Sequence, residues 1–222
     1  MATYYSPKIV TDGLVLCLDA GNTKSYSGSG TTWTDLSESA ANGTLTNGPT
    51  FNSDNKGSIV FDGIDDYIAG SLTSAPTEMT LCVFAKVTNK NEAGLIGIGT
   101  AGTYKEFWIE LRSSGNFKVG LYSDDIAAGW SLSQSYSNLW TYFCGTINSA
   151  KLQTGYINGQ SVGTYQGSNS YSGNSNCRVG FGRYSGGQYV NGNIAFAQIY
   201  NRALSATEIL QNYNALKGRF GL

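Results

Sequence analysis

Twelve short stretches rich in β-branched and aromatic residues are set apart by clusters of Gly, Asn and Ser: 14–19, 58–61, 67–69, 79–87, 95–98, 106–112, 116–123, 140–147, 154–157, 161–165, 177–181 and 192–200. Each is about the length of a strand, and the residues between them are those that turn a chain. This rhythm leaves little room for helices. It predicts an all-β domain in which two antiparallel sheets pack face to face.

Two hairpins can be placed in register from the residues alone. Around a Ser113-Ser114-Gly115 loop, pairing outward sets Leu111 opposite Phe117, Ile109 opposite Val119 and Phe107 opposite Leu121. All six are apolar and share one face, so that face is core; a slip of one residue would scatter them. The other face carries Glu110 opposite Lys118, Trp108 over Gly120, and Glu106 opposite Tyr122. In the second hairpin, Asn158-Gly159 is a type I′ turn signal joining 154–157 to 160–164.

One helix is expected, near 206–217. Ser205 and Glu208 have the spacing of a capping box, and Ile209, Leu210, Tyr213 and Leu216 follow at helical spacing. Lys217 suits the last turn and Gly218 the stop. Its apolar face must dock on a sheet or on a neighbouring chain. Residues 1–11 read as an N-terminal arm, 12–217 as one domain and 218–222 as a tail.

Composition narrows the function classes. The 222 residues carry a net charge of −1, with no basic stripe to neutralise phosphates, which argues against a nucleic-acid partner. No apolar stretch approaches the roughly 20 residues of a membrane span. Residues 1–12 lack the apolar core of a secretory leader, so synthesis in a cytoplasm is expected. Cys17, Cys82, Cys144 and Cys177 have no metal-type spacing, and buried free thiols are the expected state. Histidine is absent, which removes His-dependent nucleophilic triads and His-ligated zinc.

Four stretches resemble a known family in their order: GSIVFDGIDDYI, EMTLCVFAK, LWTYFCGTIN…LQTGYINGQSVG and GNIAFAQIYNRALSATEI. They are similar to laminin-G-like, concanavalin A-like lectin/glucanase domains over about residues 12 to 217. The resemblance implies a jelly-roll sandwich with one short C-terminal helix. The opening run LVLCLDAGNTKSYSGSGTTWTDLSESAANGTLTNGPTF is similar to the variant found in structural proteins of tailed, especially marine, phages. That implies a virion structural protein, in capsid decoration or tail fibre, at the virion surface. Its partners would be other virion proteins, further copies of itself and host-surface glycans. A free carbohydrate-binding module is the alternative, and a glucanase-type hydrolase a further one.

Many family members hold a structural calcium with an Asp early in the last strand. Here the corresponding run is Ile194-Ala195-Phe196-Ala197, so that carboxylate is missing and no cofactor is expected, a structural calcium being the alternative. Asp62, Asp65 and Asp66 read as turn residues. The Glu106-Phe107-Trp108-Ile109-Glu110 strand resembles the E-x-D-x-E strand of glucanases, with Trp108 in place of the central acid. With Lys118 expected opposite Glu110, no catalytic residue is assigned. Trp108 and Tyr122, with Tyr104 or Trp130 on the same face or at its rim, form a candidate sugar-stacking patch, the alternative being that these rings pack the sheet or meet another protein. Tyr184 joins them from the Tyr-bearing loop 184–192, which would border a groove or a partner surface.

Overall fold

A computed structural model describes residues 7–88, 92–112, 116–126, 129–132, 135–182 and 188–222. All twelve expected stretches form strands, several extended by one to three residues, while 116–123 ends at Leu121 and 177–181 at Val179. Five short strands carry no comparable apolar pattern: Thr32–Trp33, Gly43–Thr46, Thr50–Asn52, Asp124–Asp125 and Trp130–Ser131.

Two antiparallel sheets result. One runs in the order Gln160–Gln166, Leu152–Ile157, Trp140–Ile147, Met79–Val87, Asn191–Tyr200, Ser58–Asp62, Thr50–Asn52, with Leu14–Asp19 also paired to Asn191–Tyr200. The other runs Asp124–Asp125, Asn116–Leu121, Glu106–Arg112, Glu92–Gly99, Asn176–Val179, Tyr67–Ser71, Gly43–Thr46, Thr32–Trp33, with Trp130–Ser131 beside Asn116–Leu121. The two registered hairpins stand as read. Phe117 faces Leu111, Val119 faces Ile109, and Leu121 faces Phe107. The Tyr122 amide donates to the Glu106 carbonyl at 2.9 Å. Asn158 and Gly159 take φ of 50° and 81°, the pair of positive angles a type I′ turn requires.

The main core lies between the sheets. The strand Met79–Val87 nevertheless reads MTLCVFAKV, an almost unbroken apolar run, because both of its faces are covered. Leu81, Val83 and Ala85 enter the inter-sheet core, while Cys82 and Phe84 join a second core beneath the helix Ala206–Leu216. The helix therefore docks on its own sheet. Phe84 stacks on Phe220 with ring centroids 4.1 Å apart, and Ile209 is fully buried.

Gly218 does not end the helical segment, as the sequence had suggested. A 3-10 turn Lys217–Phe220 continues it to a left-handed Gly221, because Phe220 must reach Phe84 and Trp140. The 218–222 segment is thus an anchor. Of the expected N-terminal arm, residues 1–6 lie outside the described residues, and Ile9 and Val10 belong to the second core.

A buried polar chain ties these parts together. Tyr142 Oη donates to Gln198 Oε1 at 3.2 Å, and Gln198 Nε2 donates to Tyr200 Oη at 2.9 Å. Tyr200 Oη donates to the Val10 carbonyl at 3.0 Å and accepts from Asn212 Nδ2 at 3.0 Å. The Val10 amide completes the link to Asn212 Oδ1 at 2.8 Å. Each group is satisfied, which is what makes such a chain tolerable in a core. All four cysteines are buried free thiols. Burial pushes Cys17 and Cys177 up to about 12, so neither is a nucleophile at neutral pH.

The capping box is present as expected: Ser205 Oγ accepts from the Glu208 amide, and Glu208 Oε2 accepts from the Ser205 amide at 2.8 Å. Arg202 adds a fork onto Glu208 at 2.6 and 3.1 Å. Chiefly through that fork, the Glu208 carboxyl is held down from 4.5 to about 2. Its ionised form is therefore favoured by folding. The contribution is complete above pH 4.5 and is lost as the pH falls through 2. Because the pair is partly solvent-exposed, the loss should be only about 1 kcal/mol. Urea unfolding of the protein and of Glu208→Gln at pH 7 and pH 2.5 should show their stability difference narrowing in acid.

Candidate functional site

Among the described residues, no helix covers the outer face of the second sheet. Alternation along its strands sends Tyr67, Ala69, Arg178, Gly97, Trp108 and Gly120 outward, while Ile68, Val179, Ile96, Ile109 and Val119 enter the core. One row runs Gly120, Trp108, Gly97, Arg178, Ala69 across five strands. The chain beyond Asn176–Val179 folds back over the middle of this row. A Cβ on Gly94 would fall 1.8 Å from the Gly182 amide nitrogen, and one on Gly97 would fall 2.7 Å from the Gly182 carbonyl oxygen. The Gly94 amide also donates to the Gln188 carbonyl at 2.9 Å.

That overlay corrects the expected stacking patch. Trp108 is fully buried and does not present a free ring face; Tyr122 lies 6.3 Å away and Lys118 5.6 Å above it. Tyr104 is half-buried and joins Tyr122 through its amide, which donates to the Tyr122 carbonyl at 2.9 Å. Trp130 does not share this face. It packs against the inter-sheet core, beside Phe117 and over Gly155 and Gly163. Tyr184 lies outside the described residues. Tyr104, Trp108 and Tyr122 are therefore brought together, but mainly as packing.

The acidic strand is shut off as well. Glu106 is 3% exposed and Glu110 0%. The expected ion pair is also different. Glu110 pairs with Arg112 at 2.7 Å, whereas Lys118 pairs with Asp125 at 3.0 Å. The short strand Asp124–Asp125, unseen in the sequence, sets Asp125 opposite Gly120 and so brings it to Lys118.

Open surface lies further along the same face. Tyr67, Ala69, Asn176, Arg178, Phe181 and Tyr189 line a groove of about 420 Å³. Phe181 and Tyr189 stack at 4.6 Å, and Tyr67 lies 6.0 and 6.5 Å from them. Tyr67 and Tyr189 are half-buried, with ring surface left for a ligand. The Arg178 guanidinium lies 4.9 Å from the Phe181 ring centre. Burial lowers Arg178 to about 10 while Glu106 acts in the opposite sense, so it stays a cation at neutral pH. The arrangement offers apolar ring faces, phenol hydroxyls, an amide and one buried cation around a single cleft.

Tyr189 falls within the loop singled out from the sequence, but Tyr67 and Arg178 were missed. Alternation in Cys177-Arg178-Val179 does mark Arg178 as outward. What it cannot mark is the neighbour, because Tyr67–Ser71 and Asn176–Val179 are far apart in sequence.

In the turn before Tyr67, Asp62, Asp65 and Asp66 bring carboxylate oxygens within 4.8 Å of one another. Asp62 Oδ1 accepts from the Ile64 amide at 2.7 Å and Asp66 Oδ2 from the Asp62 amide at 3.0 Å, so these side chains organise the turn that leads into Tyr67. The calcium implied by the resemblance does not fit this chain either. Ala195 stands where its carboxylate would be, and nearby Asp19 Oδ1 receives the guanidinium of Arg219 at 2.5 Å.

A laminin-G-like family model, described as the concanavalin A-like lectin/glucanases superfamily, matches residues 61–210. Several solved structures share the fold at low identity. The binding domain of Paraclostridial Mosquitocidal Protein 1 superposes with a TM-score of 0.68 at 18% identity, over 91% of this chain and 52% of that one. Botulinum neurotoxin type C, whose cell entry depends on interaction with two ganglioside molecules, gives 0.67 at 14%, over 93% and 52%. A Trypanosoma rangeli sialidase gives 0.67 at 17%, over 98% and 37%. The chain thus spans about half, or less, of the solved chains it matches. No curated protein matches its sequence.

Proposed function

This chain belongs to the concanavalin A-like lectin/glucanases superfamily, and we propose that within it the chain is a non-catalytic saccharide-binding domain. Tyr67, Arg178, Phe181 and Tyr189 are the proposed contact residues. The observation that carries this reading is the pair of half-buried tyrosines beside a cation in one cleft. A pyranose presents C–H groups to a ring face and hydroxyls to polar neighbours, and this cleft supplies both kinds of partner. Its volume lies within the usual range for small-molecule sites. The similarity in fold to a neurotoxin whose cell entry depends on gangliosides supports the same class of ligand.

Catalysis is disfavoured by burial. Retaining glycosidases need two carboxyl groups about 5–5.5 Å apart that both reach the sugar. Glu106 and Glu110 are both buried, and Glu110 is engaged by Arg112. Tyr67→Ala should weaken binding of whichever saccharide scores best on a glycan array by tenfold or more, about 1.4 kcal/mol, in a calorimetric titration. Unchanged affinity would remove this groove from consideration. Glycan-cleaving activity that disappears in Glu110→Gln would reverse the non-catalytic reading.

The setting we propose is the surface of a tailed-phage particle, as capsid decoration or tail fibre, in contact with other virion proteins and further copies of itself. Support comes from the similarity of the opening stretch to the phage variant and from a surface with few charges, 13% of residues against roughly 25% in soluble domains. Because the helix spends its apolar face on its own sheet, attachment would fall to other surfaces. Mass spectrometry of purified particles should find the chain at a fixed stoichiometry. Its absence from particles would leave the binding domain without this setting.

A further inference from the structure

The corner where the resemblance implies calcium is built around a side chain instead. Ala195 occupies the expected carboxylate position, and its carbonyl accepts from the Ala20 amide at 3.0 Å. Gly57 packs so closely on Ala20 that a Cβ would lie 2.3 Å from the Ala20 carbonyl oxygen. Beside this junction, Arg219 places each of its three guanidinium nitrogens on an oxygen. Nε donates to the Asn55 carbonyl at 2.6 Å, Nη1 to Asp19 Oδ1 at 2.5 Å, and Nη2 to the Gly57 carbonyl. Three oxygens from two segments remote in sequence converge on one cation.

The surrounding residues are shaped to admit it. A Cβ on Gly21 would lie 2.5 Å from Arg219 Cζ. Gly57 has φ of 131°, and Asn55 and Lys56 both take left-handed angles, 52° and 69°. Such angles are unfavourable for side-chain-bearing residues, and here they belong to the loop that supplies both carbonyls. Next to Arg219, Phe220 is clamped between Phe84 and Trp140, which fixes where the guanidinium can reach. Calcium takes six to eight oxygens, commonly with several carboxylates. One carboxylate and two carbonyls are a poor calcium shell but match the three nitrogens of a planar guanidinium.

We propose that Arg219 is the resident cation of this corner, so that the domain does with one of its own side chains what relatives do with a structural calcium. The fold then needs no metal there but depends on its last turn.

Thermal melts test this in three arms. The unmodified protein should melt at the same temperature in excess chelator and in millimolar calcium. Arg219→Ala should melt roughly 5 °C lower in both, as expected for losing a charge-assisted cluster in a domain of this size. Ala195→Asp combined with Arg219→Ala restores the carboxylate and vacates the guanidinium, and its melting temperature should rise with calcium concentration. The proposal is overturned if Arg219→Ala melts like the parent, or if the double variant folds but ignores calcium. It is equally overturned if calcium stabilises the parent even after Asp62→Asn and Asp65→Asn have disabled the exposed acidic turn. Should the double variant fail to fold, the first two arms still decide.

Discussion

Phe84→Ala is expected to cost about 3–5 kcal/mol of folding stability, the largest effect of any single substitution considered for this chain. Phe84 is fully buried in the middle of Met79–Val87, on the face turned to the helix. Its ring contacts Phe220 at 4.1 Å, Tyr142 at 5.5 Å and Tyr213 at 6.5 Å. Truncation leaves a cavity that the sheet cannot close, since the neighbouring strands hold Tyr142 and Phe196 in register opposite it. It also releases Phe220, and with it the turn that carries Arg219. The melting temperature should fall by about 10 °C, at roughly 2–4 °C per kcal/mol for a domain of this length. Urea titration of Phe84→Ala beside Ile64→Ala provides the contrast. Ile64 is 72% exposed, so its truncation should stay within about 0.5 kcal/mol. Equal effects for the two would mean the second core contributes little.

Gly94→Ala should disturb both stability and binding. A methyl group there would sit 1.8 Å from the Gly182 nitrogen and 2.1 Å from its Cα. Both are backbone atoms, so no rotamer change relieves the contact; the overlying segment has to lift. Overpacking of this kind costs about 1–3 kcal/mol. Lifting also breaks the bond from the Gly94 amide to Gln188 and displaces Phe181 and Tyr189, which wall the groove. Saccharide affinity should therefore fall well below what the stability loss alone would produce, while the fold persists by circular dichroism. Gly218→Ala is the control, because nothing lies within 4 Å of its Cβ position and its φ is not positive. It should be neutral or slightly stabilising. If Gly94→Ala bound its ligand like the parent, the groove would have to lie elsewhere.

Much of this architecture is readable from local pattern. The pairing of Leu111 with Phe117 follows from loop length and alternation, and it holds although the loop itself lies outside the described residues. The capping box at Ser205 and Glu208 is a matter of three-residue spacing, and the Asn158-Gly159 turn is a matter of which residues accept positive φ. The short strands Asp124–Asp125 and Thr32–Trp33 escaped notice because two residues carry no periodicity, and their place depends on the neighbour they pair with.

The sequence by itself determined the longer strands, the register of two hairpins, the helix and which side of the sheet each alternating residue takes. These depend on interactions between residues close along the chain, where sterics and turn geometry act directly. Tertiary structure alone decided what covers each side. It buried Trp108 and Glu110, left Tyr67 and Tyr189 beside open space, and carried Arg219 to oxygens contributed by residues 19, 55 and 57. Alternation assigns a side chain to a face. Whether that face meets water or another stretch of backbone is fixed only when segments remote in sequence are packed together.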